Sequence, residues 1–222
     1  MSEDERVAEE FPVDPTRHRG EDLSRILSLS DGVFAFAFTL LVLQLTVPAI
    51  DTTGRSTGQI SSLLAQALVG EWGAIYAFAL GAIFIGLEWM VHHRVFQYIR
   101  RFDSGLLWLN IAFLAAVALN PFLLGVYIRY SDTSAAVMLY GGGLAITVGF
   151  LALLWWYASY HHRLVDRSLD RRVIGFYRYR LLIVPTIFAL SVGVAYSQPA
   201  WGEYLWIAAI WANVVITRRY RG

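Results

Sequence analysis

Two acidic residues, Asp31 and Glu88, lie inside long apolar runs where no solvent would hold their charge. A charge at the centre of a membrane helix costs roughly 3 kcal/mol to insert, so such residues pair, relay protons or line an ion path. Asp31 follows Arg25 and Ser30, and Glu88 precedes His92 by one helical turn, on the same face. Asp31, Glu88 and His92 are thus the set from which an ion- or proton-coupled transporter would assemble a relay. The plainer chemistry is bracing of neighbouring helices near the inner membrane surface, and Glu88 reads best that way. His92-His93 and His161-His162 are possible metal ligands by type. Adjacent helical residues diverge by about 100°, so neither pair closes on one ion alone. Their places at span ends fit interfacial hydrogen bonding. Thr147-Val148-Gly149-Phe150 has the letters of a carbonyl filter, yet it sits mid-run in apolar sequence and is set aside. The sequence carries no Walker loop, GxSxG or HExxH motif and no cysteine, so it offers neither soluble-enzyme chemistry nor thiolate metal sites.

These side chains need membrane helices to position them. Of 222 residues, 57% are hydrophobic and 16% charged, whereas a soluble domain carries about 25% charged residues. Six apolar runs approach the roughly 20 residues that span a bilayer: about Arg25–Val47, Trp72–Phe96, Gly105–Val126, Ala135–Tyr160, Phe176–Ser197 and Trp201–Thr217. Pro185 falls inside the fifth and is expected to be tolerated there. Residues 1–20 are polar and read as a flexible cytoplasmic tail, with 21–222 forming one six-helix membrane domain. The loop after the first span is polar, then amphipathic up to Gly70. All 18 basic residues are arginine. Sixteen fall in the N-terminal tail and first-span entry, near the second-to-third and fourth-to-fifth connections, and in the C-terminal tail. Arg55 and Arg129 alone fall on the other side. The positive-inside bias then places both termini in the cytoplasm. Trp72 and Trp201 are expected at the outer interface, and Trp89, Trp108, Trp155 and Trp156 toward the inner one.

The stretch from Arg25 through Leu29-Ser30-Asp31-Gly32 into an apolar run with Thr39-Leu40-Leu41 resembles the first span of the transmembrane protein 175 family, bacterial relatives of the endolysosomal potassium channel. Leu29 stands where the family prefers phenylalanine. Trp89 with His92-His93-Arg94, Asp103, Leu107-Trp108-Leu109-Asn110 and Asn120-Pro121-Phe122 extend the likeness through span three; beyond it only hydropathy agrees. The resemblance implies an all-α polytopic channel with six transmembrane helices per subunit, its pore lined by the first helix of each of four subunits. It implies passive potassium-selective conduction past an apolar constriction, helped by a threonine. Applied to these positions, it gives Phe36, Leu40 and Leu43 as the constriction with Thr39 beside them. Arg25, Ser30 and Asp31, with His92 and Asn110 as candidate partners, would hold the helix in place. The position five residues after the aspartate is usually aliphatic in the family and is Phe36 here.

Helical periodicity offers a check that does not depend on the resemblance. Gly32, Phe36, Leu40, Leu43 and Val47 fall within about 40° of one direction. Thr39 and Thr46 flank that stripe and Arg25 lies on its side, while Asp31, Phe34 and Phe38 point the opposite way. A lipid-facing helix would show an apolar stripe too, and Thr39 would then bond only its own helix carbonyl. The leading expectation is a homotetrameric potassium channel in a bacterial plasma membrane, with lipid and potassium as partners, no nucleic acid and no cofactor besides the permeant ion. The coupled transporter using Asp31, Glu88 and His92, and a non-conducting scaffold, are the other readings.

Overall fold

Long apolar sequence segments become helices because the bilayer leaves no partner for backbone groups except their own chain. The computed structural model describes residues 15–219, with side chains from Leu23 onward except those of residues 217 and 219. Six long helices and one short one follow in order: α1 (Pro15–Val42), α2 (Thr57–Gly70), α3 (Trp72–Tyr98), α4 (Ser104–Tyr130), α5 (Ser134–Ser159), α6 (Arg171–Ala195) and α7 (Pro199–Arg219). Five of them, α1 and α3 to α6, are long and apolar enough to cross a membrane. The sixth expected span, α7, is the shortest of the long helices at 21 residues. Its length of about 31 Å matches a bilayer core, but Trp201, Trp206, Trp211, Tyr204, Glu203 and Asn213 dilute its aliphatic content.

Several boundaries differ from expectation for local reasons. Helix α1 begins at Pro15, so part of the stretch read as tail is helical, while residues 1–14 lie outside the described chain. It ends at Val42 and not Val47: the amides of Leu43, Gln44 and Leu45 each reach back only three residues, so the chain unwinds before Pro48. Helix α6 starts at Arg171, five residues early, because the Asp170 carboxylate caps it by accepting from the Arg172 amide at 2.8 Å. Arg178 and Arg180, counted by sequence with the arginines of the fourth-to-fifth connection although they fall inside the Phe176–Ser197 run, lie within the helix. His161 and His162 are not helical; their φ values of 49° and 54° put them in a tight turn, unlike His92-His93 within α3. Thr147 is mid-helix in α5, where its hydroxyl donates to the Gly143 carbonyl at 2.9 Å, so the filter-like tetrapeptide is ordinary helix.

The core is carried by α5, which touches α3, α4, α6 and α7. Two glycines let helices approach closely, as lipid-embedded packing favours. A Cβ on Gly141 would lie 2.8 Å from the Ser191 hydroxyl, itself the acceptor for the Trp206 indole at 3.0 Å. A Cβ on Gly125 would collide with the Gln44 side chain. Trp155, expected at the interface, is fully buried and donates to the Ile174 carbonyl at 3.3 Å. The connections α3–α4 and α5–α6 meet at one end of the bundle: the Arg100 amide donates to the Leu164 carbonyl at 2.9 Å, and Arg163 pairs with Asp103 at 2.9 Å. Helix α1 packs on α3 and α4 at the edge and is the least covered span, 22% buried against 39–44% for the other four.

Candidate functional site

Helix α1 has one seated face and one open face. Ser30, Phe34, Ala37 and Leu41, at helical spacing, are each no more than 2% exposed against α3 and α4. Gly32, Phe36, Thr39 and Leu43 are exposed, Phe36 at 63% and Leu43 at 72%, with Leu40 half-buried. The expected stripe is thus the open face as far as Leu40. Leu43 and Val47 lie beyond the helix end, so the third expected ring sits on a turn. Thr39 donates to the Phe36 carbonyl at 2.8 Å, which occupies its proton and leaves its lone pairs outward.

A directed hydrogen-bond chain fixes the seated face. The Ser30 hydroxyl donates to the Ile26 carbonyl at 2.9 Å and accepts from Asn110 Nδ2 at 3.2 Å. Asn110 Oδ1 meets His92 Nε2 at 2.9 Å, so the imidazole carries its proton on Nε2 to donate there. His92 is 1% exposed and stacks on Phe113 at 5.2 Å with a 7° interplanar angle. This replaces the expected interfacial role: the ring sits a turn and a half inside α3, walled by aromatic side chains. Ser30, Asn110 and His92 are therefore brought together.

Asp31 is not part of that chain. Its carboxylate is exposed and accepts from the Trp89 indole at 2.8 Å, and Trp89 in turn stacks on His93 at 5.6 Å. The expectation that Asp31 turns into the bundle toward His92 or Asn110 is corrected: it grips the neighbouring helix along an open edge. Phe38 shares that edge, 38% exposed and facing Gly86 of α3. Arg25 is exposed and stands outside the network. Glu88 does not pair with His92 either; it is 5% exposed and accepts from Asn120 Nδ2 at 3.2 Å. The three members of a possible relay thus have three different partners, Trp89, Asn110 and Asn120.

Against this geometry, residues 25–121 match the family model described as the endosomal/lysosomal potassium channel TMEM175. A potassium channel of Streptomyces collinus is 33% identical over 177 residues, covering 78% of this chain and 82% of that protein. The chain belongs to the TMEM175 family. A potassium channel of Chamaesiphon minutus is 34% identical over 178 residues, covering 77% of this chain and 84% of the relative. The fold matches the crystal structure of a lysosomal potassium-selective channel TMEM175 homolog from Chamaesiphon minutus with a TM-score of 0.74. That match has 23% identity and covers 88% of this chain and 98% of the other. The region matched by the TMEM175 family model runs from the start of the first apolar stretch to Pro121 and contains every residue of the Ser30–Asn110–His92 chain.

Three polar residues of the bundle escaped the sequence reading of the site. Asn120 was seen only as part of a motif, and its carboxamide turns out to hold Glu88. Arg180, 5% exposed, donates from Nη2 to Asn213 Oδ1 of α7 at 2.7 Å. The signal for Arg180 was its place four residues inside the Phe176–Ser197 run, hidden by counting it with the arginines of the connection.

Proposed function

We propose that this chain is one subunit of a homotetrameric, potassium-selective channel of the bacterial plasma membrane, conducting passively along the open faces of four α1 helices. The carrying observation is that division of α1: a face locked by hydrogen bonds and aromatic packing, and a face of Phe36, Thr39 and Leu40 left uncovered by its own subunit. Supporting it, two relatives alike over most of their length are named potassium channels. A ring of four Phe36 side chains forms the narrowest point, Leu40 the next ring, and Leu43 a looser third where the helix unwinds. Such a ring strips part of the hydration shell from a passing ion, and the pore's width sets which ion loses least. Potassium, the more weakly hydrated alkali ion, passes at the lower cost. Sixteen arginines on one side support cytoplasmic termini. The separate partners of Asp31, His92 and Glu88 favour bracing over a relay.

The reading is tested with purified protein in liposomes. Potassium efflux that follows an imposed voltage, without a proton gradient and with less sodium flux, is the expected result. Flux that occurs only with a proton gradient would establish the transporter instead.

A further inference from the structure

Away from α1, the bundle contains a second polar centre. The backbone of α3 stands off from those of α6 and α7, no Cα–Cα pair coming within 8 Å among the described residues. Helix α3 meets α6 through side chains, with the Phe84–Phe188 rings at 5.4 Å and the Tyr98–Tyr177 rings at 5.5 Å. Between them lies a cavity of about 40 Å³ available to the centres of water molecules, walled by Phe84, Val184 and Phe188. Glu88 and Arg180 both line it, each 5% exposed. Each has one arm held: Glu88 Oε2 by Asn120 and Arg180 Nη2 by Asn213. Glu88 Oε1 and Arg180 Nε and Nη1 have no protein partner. Glu88 is about 15 Å along α3 from Tyr98 and Arg180 about 14 Å along α6 from Arg171, at about 1.5 Å per residue. Both therefore sit inside a bilayer core about 30 Å thick, where unpartnered polar groups are poorly tolerated.

The occupant must accept from a guanidinium and also satisfy a carboxyl oxygen. A potassium ion is repelled by Arg180, an anion is disfavoured by Glu88, and a lipid chain leaves both groups unmet. Water can do both. One water fills roughly 10–15 Å³ of occupied volume, so a cavity that leaves about 40 Å³ for water centres has room for several. We propose that each subunit holds a small cluster of buried water bridging Glu88 of α3 to Arg180 of α6, a ligand site separate from the α1 face. The cluster adds a polar link between α3 and α6 beside the Phe84–Phe188 and Tyr98–Tyr177 ring contacts that already join them.

Radiolytic hydroxyl-radical labelling of the protein in lipid nanodiscs tests this, because bound water generates radicals where it sits. Val91 and Val184 should be labelled severalfold faster than Val117, which is equally embedded but away from the cavity. Glu88→Leu and Arg180→Leu should each lower the thermal midpoint. The double variant should recover most of either loss and bring labelling of Val91 and Val184 down to that of Val117. Wild-type labelling at the cavity no faster than at Val117, losses that add in the double variant, or an acyl chain seen in the cavity would each overturn the proposal. Where a leucine variant does not fold, the wild-type labelling decides.

Discussion

Ser30, Asn110 and His92 form a chain in which each hydrogen bond sets the direction of the next, so the group in the middle matters most. Asn110 is 2% exposed and serves both neighbours. Replacing it with leucine leaves the His92 N–H without an acceptor and the Ser30 hydroxyl without its donor. An unmet buried group costs about 1–3 kcal/mol. Asn110→Leu should therefore lower the thermal midpoint of the assembled protein clearly. Asp31→Ala, at an exposed edge, should lower it less and leave ion preference unchanged. A size-exclusion thermal series with flux on the surviving assembly measures both, and a strong selectivity change in Asp31→Ala would rule out bracing. The types of these residues were legible in sequence because carboxylates, imidazoles and carboxamides are rare in apolar runs. Their pairings were not. Asp31 and Ser30 are adjacent yet diverge by about 100°, enough to send one to Trp89 and the other to Asn110.

Helix existence was legible for every long element, since a run of apolar residues has no other stable backbone form in lipid. Ends were less so, because caps decide them: Asp170 draws α6 back over five residues that look like loop, and that shift carries Arg171 and Arg172 into the helix. Asp103 does the same work at the start of α4, accepting from the Leu106 amide at 2.9 Å while binding Arg163 of the neighbouring connection and the Tyr157 hydroxyl of α5. Partial burial alone would raise its pKa, but the Leu106 amide, Tyr157 and Arg163 outweigh that and hold it below the ordinary 3.8. A depressed carboxyl pKa stabilises the fold fully above the unfolded value, and that stabilisation is lost as pH falls through the folded value. Asn caps helices as well as Asp, so Asp103→Asn removes the charge and keeps the cap. Its deficit in thermal midpoint relative to wild type should be present at neutral pH and fade at pH values below the ordinary aspartate range. The deficit corresponds to at most about 1 kcal/mol, because a half-exposed pair with Arg163 is screened by solvent. A deficit that grows on acidification would show that the pair does not clamp the two connections.

For the whole molecule, the proposed pore turns on whether the open face of α1 meets a conducting path or lipid, which periodicity alone left open. The single subunit narrows it by closing one side: Phe34 is 2% exposed and packs at 5.9 Å from Phe113 and 5.8 Å from His92, whereas Phe36, two residues on, is 63% exposed. The two phenylalanines thus make a matched pair with the same chemistry on opposed faces. Truncating a buried phenylalanine costs about 3–5 kcal/mol through the cavity it leaves, so Phe34→Ala should lower assembly yield and thermal midpoint. The assembled fraction should conduct with near-normal selectivity. Phe36→Ala removes a side chain with little packing inside its own subunit. If four of these rings close the pore, it should raise single-channel conductance severalfold and weaken potassium-over-sodium discrimination, while the thermal midpoint of the subunit changes little. An aromatic face turned to the ion adds about 0.5–2 kcal/mol of cation–π attraction. Phe36→Leu, which keeps bulk and loses that attraction, should therefore fall between wild type and alanine in selectivity if faces line the pore, and match wild type if edges do. Planar-bilayer recordings of the three variants give conductance and reversal potential together. Equal effects of Phe34→Ala and Phe36→Ala on permeation would mean that the open face of α1 meets lipid and the conducting path lies elsewhere in the assembly.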